Sequence, residues 1–278
     1  MKLEIIMTHL LDDARGCVSR LNNPESLHDF RVSARRLRVW YRAIDDERLV
    51  LVPKPCLRRL KRLVQVTNIA RDLDVHMSLL KKNAKGLSKK DKAVVLKIEE
   101  EWQKKVSPAR RKDTLQVGKL FPKVDTDCIN VISKMTKQNA QQVRLSLWIG
   151  HVLAQKAKKL DSQLKRVKSI DDEKKIHKAR LSAKALRYLA EPFVSETHQA
   201  EQLVEGLREL QDVIGSLRDI QTLVARIENS RVNMPEPLLK RLRQHGKILF
   251  KKFEKNYRKA PGFKEKAQLL FASIVQTS

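Results

Sequence analysis

Leu27-His28-Asp29-Phe30-Arg31-Val32-Ser33-Ala34-Arg35-Arg36-Leu37-Arg38 and Ile176-His177-Lys178-Ala179-Arg180-Leu181-Ser182-Ala183-Lys184-Ala185-Leu186-Arg187 are two versions of one pattern. His, Arg, Ser, Ala, Leu and Arg coincide, and Lys184 is a conservative replacement for Arg35. Residues of like character recur three and four apart, the spacing of a helix face rather than the alternation of a strand. A second match follows in the same order: Leu63-Val64-Gln65-Val66 through Arg71-Asp72-Leu73-Asp74 pairs with Leu210-Gln211-Asp212-Val213 through Arg218-Asp219-Ile220-Gln221. Two ordered matches point to duplication of a four-helix unit in an all-α protein, each half one bundle. The expected halves are 1–122 and 123–278, divided at Phe121-Pro122.

Helical periodicity extends outward over nearly the whole chain. Helices are expected at about 3–21, 26–46, 55–82, 88–119, 125–168, 172–191, 197–229 and 235–258. Asn22-Asn23-Pro24, Pro53-Lys54-Pro55, Phe121-Pro122 and Met234-Pro235-Glu236-Pro237 supply the breaks, because proline lacks an amide donor and clashes with the preceding turn. Ser88 is placed to cap the helix after Gly86, with Asp91 adding favourable charge to its first turn.

Charge narrows the function. Lys and Arg number 59 against 32 Asp and Glu, a formal +27. An excess of that size repels itself in the folded state and calls for an anionic partner: nucleic acid, an acidic membrane or polyphosphate. The 41% apolar content excludes a disordered basic tail, so the charge belongs to folded elements. Cys17, Cys56 and Cys128 show no metal-type spacing and read as reduced, buried residues. No apolar run approaches a membrane span, and Met1-Lys2-Leu3-Glu4 does not open a signal peptide. A soluble, cytoplasmic protein that does not use a membrane is expected.

On the first repeat helix His28, Arg31, Arg35, Arg38 and Arg42 share one face over roughly 21 Å. Phe30, Leu37, Trp40, Tyr41 and Ile44 gather on the opposite side as candidate core. The second repeat gives Lys174, His177, Arg180, Lys184 and Arg187 and stops at Glu191-Pro192. A solvated helix face normally mixes signs, since like charges four apart destabilise a helix. Here the sign is nearly uniform and the pattern occurs twice, which favours an anion site. Arg71 and Arg218 are further candidate phosphate ligands, guanidinium forks being matched to phosphate oxygens. Asp72 and Asp219 suit structural partners of those side chains. Arg58 and Arg62, a turn apart, and the equivalent pair Lys61 and Arg208 complete the candidate set. His28 and His177 could serve as metal ligands, general acids, phosphate donors or structural residues. Without HxxxH, HExxH or a nearby Cys pair, donation to phosphate is the simplest reading. His9, His76, His151, His198 and His245 read as ordinary helix positions.

The repeated His-x-x-Arg-x-x-x-Arg/Lys-x-x-Arg stripe, followed in each half by an Arg-Asp helix, resembles the CHAD family, named for its conserved-histidine α-helical domain. The resemblance covers roughly residues 5–270. It implies two pseudo-symmetric four-helix bundles flanking a basic central groove that binds inorganic polyphosphate, with recruitment to polyphosphate granules. The family's ligand face then falls on His28, Arg31, Arg35 and Arg38 and on His177, Arg180, Lys184 and Arg187. Asn68 stands where the second half has Gly215, and Ala185 replaces the second basic residue of Arg35-Arg36. Some relatives carry an N-terminal triphosphatase domain with an ExExK strand. No such motif occurs here, so a stand-alone binding module without catalytic residues, metal or cofactor is expected.

Non-sequence-specific nucleic-acid binding is the alternative. Aromatics are only 5% of the chain, which leaves stacking on bases poorly supplied, and no base-reading module is evident. A phosphohydrolase or phosphotransferase acting on polyphosphate or nucleotides comes third, lacking a P-loop and a carboxylate cluster for magnesium.

Overall fold

The computed structural model describes residues 2–21, 24–67, 69–137, 145–229 and 234–276, and every regular element within them is helical. In chain order the elements are α1 (Leu3–Val18), α2 (Pro24–Asp46), α3 (Lys54–Gln65), α4 (Ile69–Ala84), α5 (Lys89–Lys137), α6 (Leu145–Lys165), α7 (Glu173–Ala190), α8 (His198–Glu228), α9 (Glu236–Phe253) and α10 (Phe263–Gln276). A 3-10 turn, Glu191–Phe193, follows α7, and a π-helical turn, Glu254–Arg258, follows α9.

Two compact units share these helices, but not as the consecutive stretches 1–122 and 123–278. The first is built from residues 1–71 and 105–152, the second from 72–104 and 153–277. The expected helix break at Phe121-Pro122 is absent, because α5 runs unbroken through Pro108 and Pro122. Both prolines are exposed, as is Gly118, whose carbonyl lies four residues before Pro122. The opposite side carries Val117, Phe121, Val124, Cys128 and Val131, all buried. A continuous packed face outweighs the roughly 3 kcal/mol that an interior proline costs, and the freed carbonyl is on the wet side.

Other expectations stand. Asp91 N–H donates to Ser88 Oγ (3.1 Å) and Ser88 Oγ–H to Asp91 Oδ2 (2.7 Å), closing the start of α5. Prolines open α2, α3 and α9. All three cysteines are free and buried. The expected helix 55–82 is instead two, parted at Val66-Thr67, where Thr67 Oγ1 donates to the Val64 carbonyl (3.1 Å). Residues 138–144, expected to be helical, lie outside the described residues.

In the first unit α2 packs against α1 and α3. Phe30, Leu37, Trp40, Tyr41 and Ile44 are fully buried. Phe30 meets Phe121 edge-on at 5.7 Å, and Tyr41 O–H donates to the Cys128 carbonyl (3.1 Å). Each large buried side chain contributes roughly 2–3 kcal/mol, so α2 is held by its apolar face and its other face is left to polar groups.

In the second unit α8 is the spine, contacting α7, α9 and α10. Asp161 of α6 accepts the Phe263 and Lys264 amides at 3.3 and 3.0 Å and so caps α10. Buried His76 of α4 lies against Trp102 (6.1 Å between rings) and is hydrogen-bonded to Thr222 of α8 (3.2 Å). Burial, then the charge of Arg226, pushes its pKa down to about 4. The unfolded chain takes up this proton near pH ~6.5, so below that value the folded state loses stability progressively until His76 itself protonates. Wild-type stability should fall by roughly 2 kcal/mol more than that of His76→Gln between pH 7 and 4, measured by denaturant unfolding. Parallel curves would show that His76 is not held neutral.

Candidate anion-binding site

Burial of one side of α2 turns its cations outward. His28 and Arg42 are exposed, and Arg35 and Arg38 are half-buried. The start of α4 brings Arg71 to this face. His28 keeps an open edge, yet partial burial, then Arg71, Arg31 and Arg35, lower its pKa, against the opposing pull of Asp29. Burial also lowers the pKa of Arg38, aided by Arg42 and Arg35. Like charges gathered in this way make the face a candidate site for an anion.

Arg31 departs from the expectation of an open ligand. It is only 6% exposed, and its guanidinium donates to the Thr67 carbonyl at the α3–α4 turn. Its neighbours one turn away, Leu27 and Ala34, are both buried, so Arg31 leaves the helix at the edge of the core. It ties α2 to the turn that delivers Arg71.

Arg38 and Arg42 of α2 meet Arg58 and Lys61 of α3 around a cleft of about 250 Å³, which Asp45 and Asp46 also line. Arg42 reaches Asp46 at 3.7 Å. Arg62 is exposed one turn beyond Arg58.

The second unit builds the same arrangement from α7 and α8. Burial, then Arg218, Arg180 and Lys184, lower the pKa of His177. Arg180 passes over the backbone at Gly215, where a Cβ would lie 3.6 Å from its Nε. Ile214-Gly215 corresponds to Thr67-Asn68, so Arg31 and Arg180 reach equivalent points; Asn68 itself is outside the described residues. Lys174 is exposed and Lys184 half-buried.

Carboxylates that the sequence reading did not assign meet this second stripe. Arg218 Nη1 is 2.5 Å from Glu173 Oε2. Arg187, with a side chain 17% exposed, pairs with Glu191 at 3.0 Å and lies 4.9 Å over the Tyr188 ring. Arg208 pairs with Glu205 at 3.2 Å. The last two pairs are legible as i,i+4 and i,i+3 spacings. The Glu173 contact and the Thr67 carbonyl appear only once helices are packed. Among the described residues no three His, Cys, Asp or Glu side chains converge to hold a metal ion, and no helix is long and apolar enough to cross a membrane.

Residues 5–228 match the sequence model of the CHAD domain. The chain belongs to the CHAD family. Its fold matches the crystal structure of the CHAD domain from the plant Ricinus communis, with a TM-score of 0.68 at 17% identity, over 95% of this chain and 89% of that one. No curated protein matches the sequence. In this CHAD chain both motif histidines occupy the same setting, beside the arginine of the Arg-Asp motif.

That setting sets a pH dependence. With the site empty, His28 and His177 titrate below the ordinary value of ~6.5. A bound anion raises both, so protons are taken up on binding and affinity rises as pH falls. For an anion bound at these faces, affinity measured from pH 8 to 6 at constant ionic strength should increase for wild type and flatten in His28→Gln/His177→Gln. An unchanged slope in the double variant would show that neither histidine binds as a cation.

Proposed function

We propose that this CHAD protein binds inorganic polyphosphate through the faces around His28–Arg71 and His177–Arg218, and that binding directs it to polyphosphate granules. It acts as a binding protein, not an enzyme; the reading requires no bond to be made or broken. The observation that carries it is the repeated constellation: a histidine, two stripe cations and the arginine of a second helix, built in each unit from residues far apart in sequence. Supporting it, Arg35, Arg38, Arg58, Lys61, Arg62 and Arg71 form no ion pair with a carboxylate among the described residues.

Polyphosphate is favoured over nucleic acid by the fate of the aromatics. Trp40, Trp102, Trp148, Tyr41, Tyr188 and Tyr257 are all buried. They cannot act as exposed platforms on which bases stack. A face of guanidinium and ammonium groups then selects by phosphate charge density. Long polyphosphate should displace duplex and single-stranded DNA at equal phosphate concentration in about 0.15 M salt, where exposed charges are screened. Equal or better competition by DNA would overturn the assignment.

A further inference from the structure

Superposing the two motifs in sequence exposes an imbalance. Glu191 stands where the first unit has Arg42, Glu205 where it has Arg58, and Glu209 where it has Arg62. Three times a positive charge is exchanged for a negative one. Glu173 adds a carboxylate where the first unit has Pro24.

The structure shows what these acids do. Glu173, Glu191 and Glu205 take Arg218, Arg187 and Arg208, at 2.5, 3.0 and 3.2 Å. Glu209 interacts with Tyr257, whose pKa burial raises first. The equivalents of the three paired cations are Arg71, Arg38 and Lys61. None of these forms an ion pair among the described residues. Among the described residues Asp46 lies 3.7 Å from Arg42, Asp45 lines the same cleft, and Asp29 acts on His28.

We infer that the two units are unequal anion sites: the first carries most of the affinity for phosphate polymers, and Glu173 and Glu205 act in the second as built-in competitors for the cations the polymer needs. An incoming phosphate at Arg71 or Lys61 replaces only water and mobile counterions, which are released into solution. At Arg218 or Arg208 it must displace a tethered carboxylate or bind against its repulsion. The duplicated unit has thus kept its histidine and its Arg-Asp motif in both copies while the charge around them has diverged.

This inference rests on the phosphate-binding reading, and one set of measurements separates them. Polyphosphate affinity and its salt dependence are measured for wild type, Lys61→Gln/Arg71→Gln, Arg208→Gln/Arg218→Gln and Glu173→Gln/Glu205→Gln, with circular dichroism to confirm the fold. Absence of binding by wild type would sink the phosphate-binding reading itself. Given binding, Lys61→Gln/Arg71→Gln should lose about ten-fold in affinity, and its salt slope should drop by about 0.7 per cation lost. The Arg208→Gln/Arg218→Gln variant should lose much less. Glu173→Gln/Glu205→Gln, which frees both cations, should bind several-fold tighter with a steeper salt slope. Equal losses in the two cation variants, or unchanged affinity in the carboxylate variant, would overturn the inequality. The carboxylate arm settles the matter independently if either cation variant unfolds.

Discussion

His28, Arg35, Arg38 and Arg42 share one side of α2 because Phe30, Leu37, Trp40, Tyr41 and Ile44 on the opposite side are fully buried. A helix has one face to give to the core. Once that face is apolar, residues three and four apart on the other side must accumulate together. On α2 that side carries a row of like charges, which weakens the isolated helix and is tolerated because packing, not propensity, holds it. The same argument applies to α7, where Ile176, Ala179, Ala183, Leu186 and Leu189 are among the buried residues. Charge display and core packing are therefore one design seen from two sides.

Within each unit the arginine three residues after the motif histidine is placed differently from the rest of the stripe. Arg31 and Arg180 both project from between buried neighbours and both reach the chain just before the Arg-Asp motif. A guanidinium can do this because its planar fork donates in several directions while its stem packs against apolar groups. Arg31, through its hydrogen bond to the Thr67 carbonyl, ties α2 to the turn that carries the motif arginine beside the histidine. In the proposed reading Arg35, Arg38 and Arg71, which form no ion pair among the described residues, are the cations that meet the ligand.

Much of this was legible in the sequence. The α2 core, the Ser88–Asp91 cap, the proline starts of α2, α3 and α9 and the doubled stripe all follow from spacing and local chemistry. What failed did so where tertiary packing overrode a local signal. Pro122 reads as a breaker, yet Val117, Phe121, Val124 and Cys128 keep α5 continuous past it. Arg31 reads as a ligand because projection alone cannot show that Leu27 and Ala34 draw it inward. Glu173 lies 45 residues from Arg218, so no local pattern announces the pair. Helix α10 was not expected, although Phe263, Ala267, Leu270 and Ile274 repeat at helical spacing and are all buried.

The central claim is that phosphate polymers bind at the open cations of the histidine faces rather than anywhere on a +27 surface. Its most direct test is nuclear magnetic resonance of the arginine side-chain Nε–Hε groups in the intact chain during titration with polyphosphate. The account predicts that Arg35, Arg38 and Arg71 shift first and saturate together, while Arg111 on α5 and Arg243 on α9 remain near their free positions. Early shifts at Arg111 or Arg243, with Arg35, Arg38 and Arg71 unmoved, would contradict it.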